Sequence, residues 1–256
     1  MKLPLLALLL TASALHAQDA KETAAGLYKA QQGSSYVRLK LEYQATAGAE
    51  KGVFQMQMQE RRTDSGTDVL FQVLWPTSRK GESLLVHQAG AAAATGSLFV
   101  PPDKLSKLSG NAMASSFFGT DLAVADIAES FYAWSNQAFV GTETVDGVPC
   151  NILESKPGSG QSSIYGSVKS WLDLKRNVPL RVEKYNDAGK LVRRIESSRI
   201  VRQEGEYIPA TLIVTRPGDD SVTTLAGTRS RPANTLTDND FSESALRELK
   251  APPASE

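Results

Sequence analysis

Apolar and polar residues alternate with a period of two along much of this chain, the signature of strands with one buried and one wet face. Val37-Arg38-Leu39-Lys40-Leu41-Glu42-Tyr43 sets the pattern, and Phe54-Gln55-Met56-Gln57-Met58-Gln59 repeats it with glutamines on the outer face. These two runs can pair as a hairpin through residues 47–52. The stretches 69–75 and 83–87 are apolar enough to be covered on both faces. Further strands are predicted at 97–100, 138–145, 150–156, 168–174, 180–186, 190–200, 207–215 and 221–229. Between them, Asp146-Gly147, Asp187-Ala188-Gly189, Glu204-Gly205 and Pro217-Gly218-Asp219-Asp220 supply tight-turn residues. Short strands with frequent turns point to an antiparallel meander and not to alternating strand and helix units. About eleven strands are more than an open sheet usually carries without curling. The expected fold is therefore mainly β with a few helices, a strongly curved antiparallel half-barrel or incomplete β-barrel.

Three helices are predicted. The first, 21–32, spaces Ala24, Leu27, Tyr28 and Gln31 at helical intervals and stops at Gly33. The second, 122–135, would be entered through Thr120 or Asp121 as N-cap and carries Ile127, Phe131 and Trp134 on one face. The third, 242–249, has Ser242 as N-cap and Ala245, Leu246 and Leu249 as its apolar side.

The N-terminus changes the picture of where the protein works. Lys2, the apolar run from Leu3 to Leu10 and the small residues Thr11 to Ala14 and Ala17 read as a secretory signal peptide, too short for a membrane anchor. Cleavage is expected after Ala17, with Ala12-Ser13-Ala14 as the alternative site. No Cys follows the run, so no lipidation of this chain is expected. The domain organisation is then 1–17 signal peptide, 18–250 a single domain, and 251–256 a disordered tail. Charge adds little: 28 basic and 28 acidic residues balance, which gives no reason to expect a nucleic-acid partner.

Candidate chemistry is sparse. His16 leaves with the signal, so His87 is the only imidazole of the mature chain, and Cys150 is the only cysteine. Together they make neither a metal cluster nor a nucleophile-base-orienter set, and Cys150 is expected to behave as a small buried apolar residue. Asp121 and Asp126 could form a carboxylate pair, but at a helix start they more simply act as cap and dipole partner. Gly158-Ser159-Gly160 leads into a strand and has no helix N-terminus to aim at a phosphate. Arg193, Arg194, Arg199 and Arg202 are expected on a solvated face. No catalytic residue, metal or cofactor is therefore assigned, and the chain reads as a non-enzyme.

Apolar capacity remains. The curled sheet has a concave face lined by Leu39, Leu41, Phe54, Met56, Met58, Phe71, Val73 and Trp75, the methionines supplying adaptable surface. Periodicity identifies this wall without deciding between a packed core and a ligand chamber. The segment Ser115-Ser116-Phe117-Phe118-Gly119-Thr120-Asp121, running into the second helix, stands out because two adjacent aromatics before Gly-Thr-Asp fit neither core nor linker.

That segment carries a family resemblance. With Leu74-Trp75-Pro76, Lys80-Gly81, Leu98-Phe99-Val100-Pro101, Asp146-Gly147-Val148-Pro149-Cys150, Pro157, Trp171-Leu172-Asp173, Pro179-Leu180-Arg181-Val182-Glu183 and residues 241–246, the chain resembles the outer-membrane lipoprotein-sorting proteins, relatives of the periplasmic lipoprotein carrier. The likeness spans residues 36–249. It implies a LolA-like half-barrel lidded by α-helices whose cavity receives lipid or lipoprotein acyl chains. On that analogy Phe117, Phe118, Phe131 and Trp134 face the cavity, and Gly119, Thr120 and Asp121 form the hinge and cap of the lid. The chain is expected to be a periplasmic monomer without stable membrane insertion, and the resemblance adds a partnership with an inner-membrane RND-type exporter. The chain departs from the family pattern at residues 91–96 and 104–107, where a Tyr- or Arg-rich strand would be expected. A soluble adaptor with a filled core is the alternative, and a lipid hydrolase relying on His87 a third.

Overall fold

A computed structural model describes residues 19–203, 205–233 and 235–248; the expected signal peptide, 1–17, and the expected tail, 251–256, lie outside the described residues. Helix α1 occupies 19–30, two residues upstream of its predicted bounds, and buries Ala20, Ala24 and Leu27 at spacings of four and three. Gly33, at φ +125°, turns the chain into the first strand. Six strands follow: β1 (Gly33–Gln44), β2 (Gly52–Thr63), β3 (Gly66–Trp75), β4 (Ser83–Ala89), β5 (Thr95–Val100) and β6 (Lys104–Leu108). After an irregular segment, 109–135, come β7 (Asn136–Val145), β8 (Val148–Lys156), β9 (Ser167–Asp173), β10 (Val178–Tyr185), β11 (Leu191–Gln203), β12 (Glu206–Thr215) and β13 (Val222–Pro232).

All thirteen strands belong to one antiparallel sheet in the order β6-β5-β4-β3-β2-β1-β13-β12-β11-β10-β9-β8-β7. Two meanders are thus joined along β1 and β13, with Leu41 opposite Leu225. The sheet is curved and does not close; its edges are β6 and β7. Because these edges are consecutive strands in the chain, segment 109–135 must cross from one side of the opening to the other. The lid is therefore a consequence of topology.

Every predicted strand is present, with ends that coincide or shift by up to four residues. Strand β6 is not among the predicted strands, because Lys104-Leu105-Ser106-Lys107 lacks the Tyr- or Arg-rich composition of the family pattern. It forms by pairing with β5, Phe99 opposite Leu105, as a short lysine-bearing edge of the kind that resists further strand addition. The expected two-sided burial of β3 holds from Thr67 to Val73. One side faces the concavity; the other is covered by the C-terminal segment, where α2 (Glu243–Arg247) packs Ala245 and Leu246 on Leu70, Leu85 and Phe99. Ser242 caps α2 as predicted, its Oγ accepting from the Ala245 amide at 3.3 Å. Gln72 secures this strap by donating to the carbonyls of Ala245 (3.2 Å) and Glu248 (2.7 Å).

The second predicted helix is not an α-helix. Residues 122–135 instead form one arm of a small hairpin and two 3-10 turns, Val124–Ile127 and Phe131–Ala133. Helical periodicity is present, but tertiary partners claim the groups a helix would use. Arg62 Nη2 donates to the Ile127 carbonyl at 3.1 Å, and its Nη1 donates to Ser130 Oγ at 3.1 Å. Asp126 turns its carboxylate back to the Ala123 amide at 2.7 Å.

Candidate functional site

Alternate residues of the first wing meet in one apolar cluster: Leu39 and Leu41 of β1, Phe54 and Met56 of β2, Phe71 and Val73 of β3, Leu84 and Val86 of β4, and Val214 from β12. Met113, Phe117, Leu122, Val124, Ala125 and Ala128 of the crossing segment are inserted into it. The insertion is a hairpin. Ser116 bridges Ala123, the Phe117 amide donates to the Leu122 carbonyl at 2.8 Å, and the Thr120 amide closes the turn onto the Phe117 carbonyl at 3.0 Å. Phe118 and Gly119 occupy the two central positions at φ +51° and +87°, the left-handed pair of a type I′ turn. Gly119 does so freely, whereas Phe118 is strained there.

Phe117 is the plug of this arrangement. It is 0% exposed and stands edge-on to Phe71, with centroids 4.9 Å apart, and to Phe118 at 4.8 Å. Each such contact adds about 0.5–1.5 kcal/mol beyond burial. Two cavities flank the hairpin. One, of about 400 Å³, is lined by Met113, Ala114, Ala125 and Ile164, with Gln88 and Glu129 as polar walls. The other, of about 430 Å³, lies between the hairpin turn and β4, β5 and β6. Both volumes fall in the range of small-molecule sites.

The predicted lining residues divide. Leu39, Leu41, Phe54, Met56, Phe71, Val73 and Phe117 meet in the cluster, with Met58 and Phe118 packed at its border. Trp75 does not: β3 ends at it, and its side chain is 46% exposed. Phe131 and Trp134 also lie elsewhere. Trp134 packs with Tyr165, Val168 and Val182, while Phe131 bridges that group to the α1 cluster of Leu27, Tyr132, Leu153 and Leu172. Thr120 and Asp121 cap no helix. Thr120 Oγ1 donates to the Phe117 carbonyl at 2.6 Å. The buried Asp121 carboxylate accepts from Ser221 Oγ (2.6 Å), Thr223 Oγ1 (2.8 Å) and Arg216 Nε (3.0 Å), which ties the hairpin to β13.

Next in sequence to Ala125 and Ala128 of that cluster, Asp126 and Glu129 belong to a buried ionic group that the sequence reading missed. Lys184 Nζ sits 2.7 Å from Asp126 Oδ1 and 3.4 Å from Glu129 Oε2. Arg193 Nη1 lies 3.1 Å from Asp126 Oδ2, and Tyr165 donates its hydroxyl to Asp126 at 2.6 Å. Burial opposes the charge on Asp126, but Lys184 and Arg193 together outweigh it and hold the carboxyl below its ordinary value. At Glu129 burial wins: despite Lys184 and Ser163, the carboxyl is pushed up, with the Asp126 charge adding to the rise. Asp126 thus caps the 3-10 turn through the Ala123 amide instead of starting an α-helix, and its carboxylate also fastens the lid to β10 and β11. Arg193 is 8% exposed and not on a solvated face, because β11 directs it inward. Arg199 and Arg202 are exposed as expected.

His87 Nδ1 pairs with Asp68 near the end of β4. Cys150 is buried against Val145, Trp171, Val178 and Leu180, and burial pushes its thiol pKa up. Among the described residues no group of three or more His, Cys, Asp or Glu could hold a metal, and no helix is long and apolar enough to cross a membrane.

Residues 65–248 match the model of a family described as "Uncharacterized protein". No curated protein matches the chain. Among the solved structures that share its fold are three from different bacteria. A DUF1329 family protein from Desulfovibrio piger superposes with a TM-score of 0.82 at 22% identity, covering 90% of this chain and 99% of the other. A putative outer membrane lipoprotein-sorting protein domain from Vibrio parahaemolyticus gives 0.80 at 21%, covering 91% and 100%. A LolA superfamily protein from Nitrosomonas europaea gives 0.70 at 19%, covering 90% and 99%. The half-barrel is thus the LolA-like fold that the sequence landmarks suggested.

Proposed function

The chain belongs to the family whose model spans residues 65–248 and has the fold of lipoprotein-sorting and LolA superfamily proteins; from this premise we propose that it is a non-catalytic carrier of lipid or lipoprotein acyl chains. It works in the periplasm after cleavage near Ala17, as a monomer, and hands cargo toward the outer membrane from an inner-membrane exporter of the RND type. The observation that carries this reading is the make-up of the concave face. Its wall is a continuous apolar surface, and what fills it is a hairpin with a strained turn, flanked by two cavities. A second sheet would fill such a face permanently; a hairpin hung between two sheet edges can swing out. Each acyl methylene buried in its place contributes about 0.8 kcal/mol, and release requires only that the plug return. Transferring a fluorescent fatty-acyl probe from vesicles to the delipidated protein tests this: saturable uptake is expected, and no uptake would refute it.

The complete burial of Phe117 favours a second reading, a soluble adaptor whose core stays filled. It predicts no acyl uptake and stable co-purification with an envelope complex.

A further inference from the structure

The cavity beneath the hairpin turn differs chemically from its neighbour. Leu84, Leu98, Leu108, Phe118 and Val124 form its walls, and Arg79 and Glu82 stand at one end. The Arg79 guanidinium lies over the rings of Phe54 and Phe118, 4.7 and 5.6 Å from their centroids. Its side chain is 35% exposed, so a charge sits where an apolar chamber meets water.

Arg79 spends its donors unevenly. Nε and Nη2 are committed to the Glu82 carboxylate at 2.6–3.0 Å. Among the described residues Nη1 has a single long contact, 3.4 Å to the carbonyl of Phe118. That carbonyl belongs to the bulky residue held at positive φ, a conformation that persists only where its surroundings enforce it. An arginine, planar and weakly hydrated, is well suited to fork a carboxylate or phosphate beside aromatic rings.

Resting on the acyl-carrier reading, we propose that this cavity selects amphiphiles with a single anionic head, carboxylate or phosphate. The head takes Nη1 of Arg79, and the chain lies along Leu84, Leu98 and Leu108. Engaging Nη1 displaces the Phe118 carbonyl, so recognition of the head relaxes the turn that holds the plug. Glu82 restrains the site by competing for the same cation, which keeps the plug seated in the absence of cargo.

Calorimetric titration of the delipidated protein with dodecanoate, dodecyl phosphate and dodecanol, each below its aggregation limit, tests this. At least one anionic probe should bind about tenfold tighter than the alcohol, as a charge-assisted hydrogen bond provides, and the preferred anion identifies the head. Arg79→Met should abolish the preference, so that the anionic probes bind no tighter than dodecanol, whose continued binding shows that the pocket is still formed. Glu82→Gln should enlarge the preference. Equal binding of charged and neutral probes by the wild type, or a preference that survives Arg79→Met, would overturn the inference while leaving the carrier reading standing. Failure of all three probes to bind would instead bring down the carrier reading and this inference with it.

Discussion

Replacing Phe117 by alanine separates a permanent core from an exchangeable plug. A phenylalanine buries about 150–250 Å², which at about 25 cal/mol/Å² corresponds to roughly 4–6 kcal/mol before subtracting what alanine retains. Phe117 is fully buried and loses edge contacts to Phe71 and Phe118, so a loss of about 3–5 kcal/mol is expected. Urea unfolding of delipidated protein measures it. If acyl chains occupy the same volume, the variant is also a better receptor, because the space is already vacant. About five buried methylenes would match a loss of ~4 kcal/mol. At one fixed dodecanoate concentration, Phe117→Ala should gain at least ~1.4 kcal/mol more stability than the wild type, corresponding to tenfold tighter binding. Leu153→Ala is the control. Leu153 is equally buried but lies under α1 in a separate cluster, so it should be destabilised by about 2–5 kcal/mol and gain no more from dodecanoate than the wild type. Equal gains in all three proteins would refute the exchangeable plug.

The remaining expectations concern the groups that hold the lid and the buried thiol of Cys150. Asp126→Asn leaves Lys184 and Arg193 short of their charge partner and should cost about 3–5 kcal/mol at neutral pH. Because the folded state depresses this carboxyl, its contribution is present above about pH 4 and lost as pH falls through the depressed value, so variant and wild type should converge in acid denaturation profiles. Glu129 has the opposite sign. Its carboxyl is raised, so wild-type stability falls as pH climbs from about 4.3 to the raised value, and Glu129→Gln should lack that fall. Arg62→Met removes the donors to Ile127 and Ser130 and should speed amide exchange across residues 127–130 without altering protection of β10. Cys150 should resist thiol reagents in the native protein and react at the rate of unfolding, since it is 2% exposed with a raised pKa.

Local rules made much of this molecule legible. Alternation placed Leu39, Leu41, Phe54, Met56, Phe71 and Val73 on one wall because inward and outward sites on a curved sheet differ in polarity. It failed at Trp75, where the strand stops, and at β6, whose lysines lie on an exposed edge. Helical periodicity over residues 122–135 was real but outweighed by Arg62 and the ionic group, neither of which has a local signal. Arg193 resembled a solvated charge because nothing in a single strand says that it meets Asp126, or that Lys184 meets Asp126 and Glu129, from across the fold. Phe117 and Phe118 were legible as unusual, yet their hairpin depends on Gly119 together with anchors on β13, distant in sequence.

Native mass spectrometry of the protein purified from the periplasm, followed by lipid extraction, tests the carrier assignment most directly. Co-purifying lipid or lipoprotein that is lost on delipidation and regained from vesicles is the result expected. Ligand-free protein that takes up no fatty-acyl probe would contradict it.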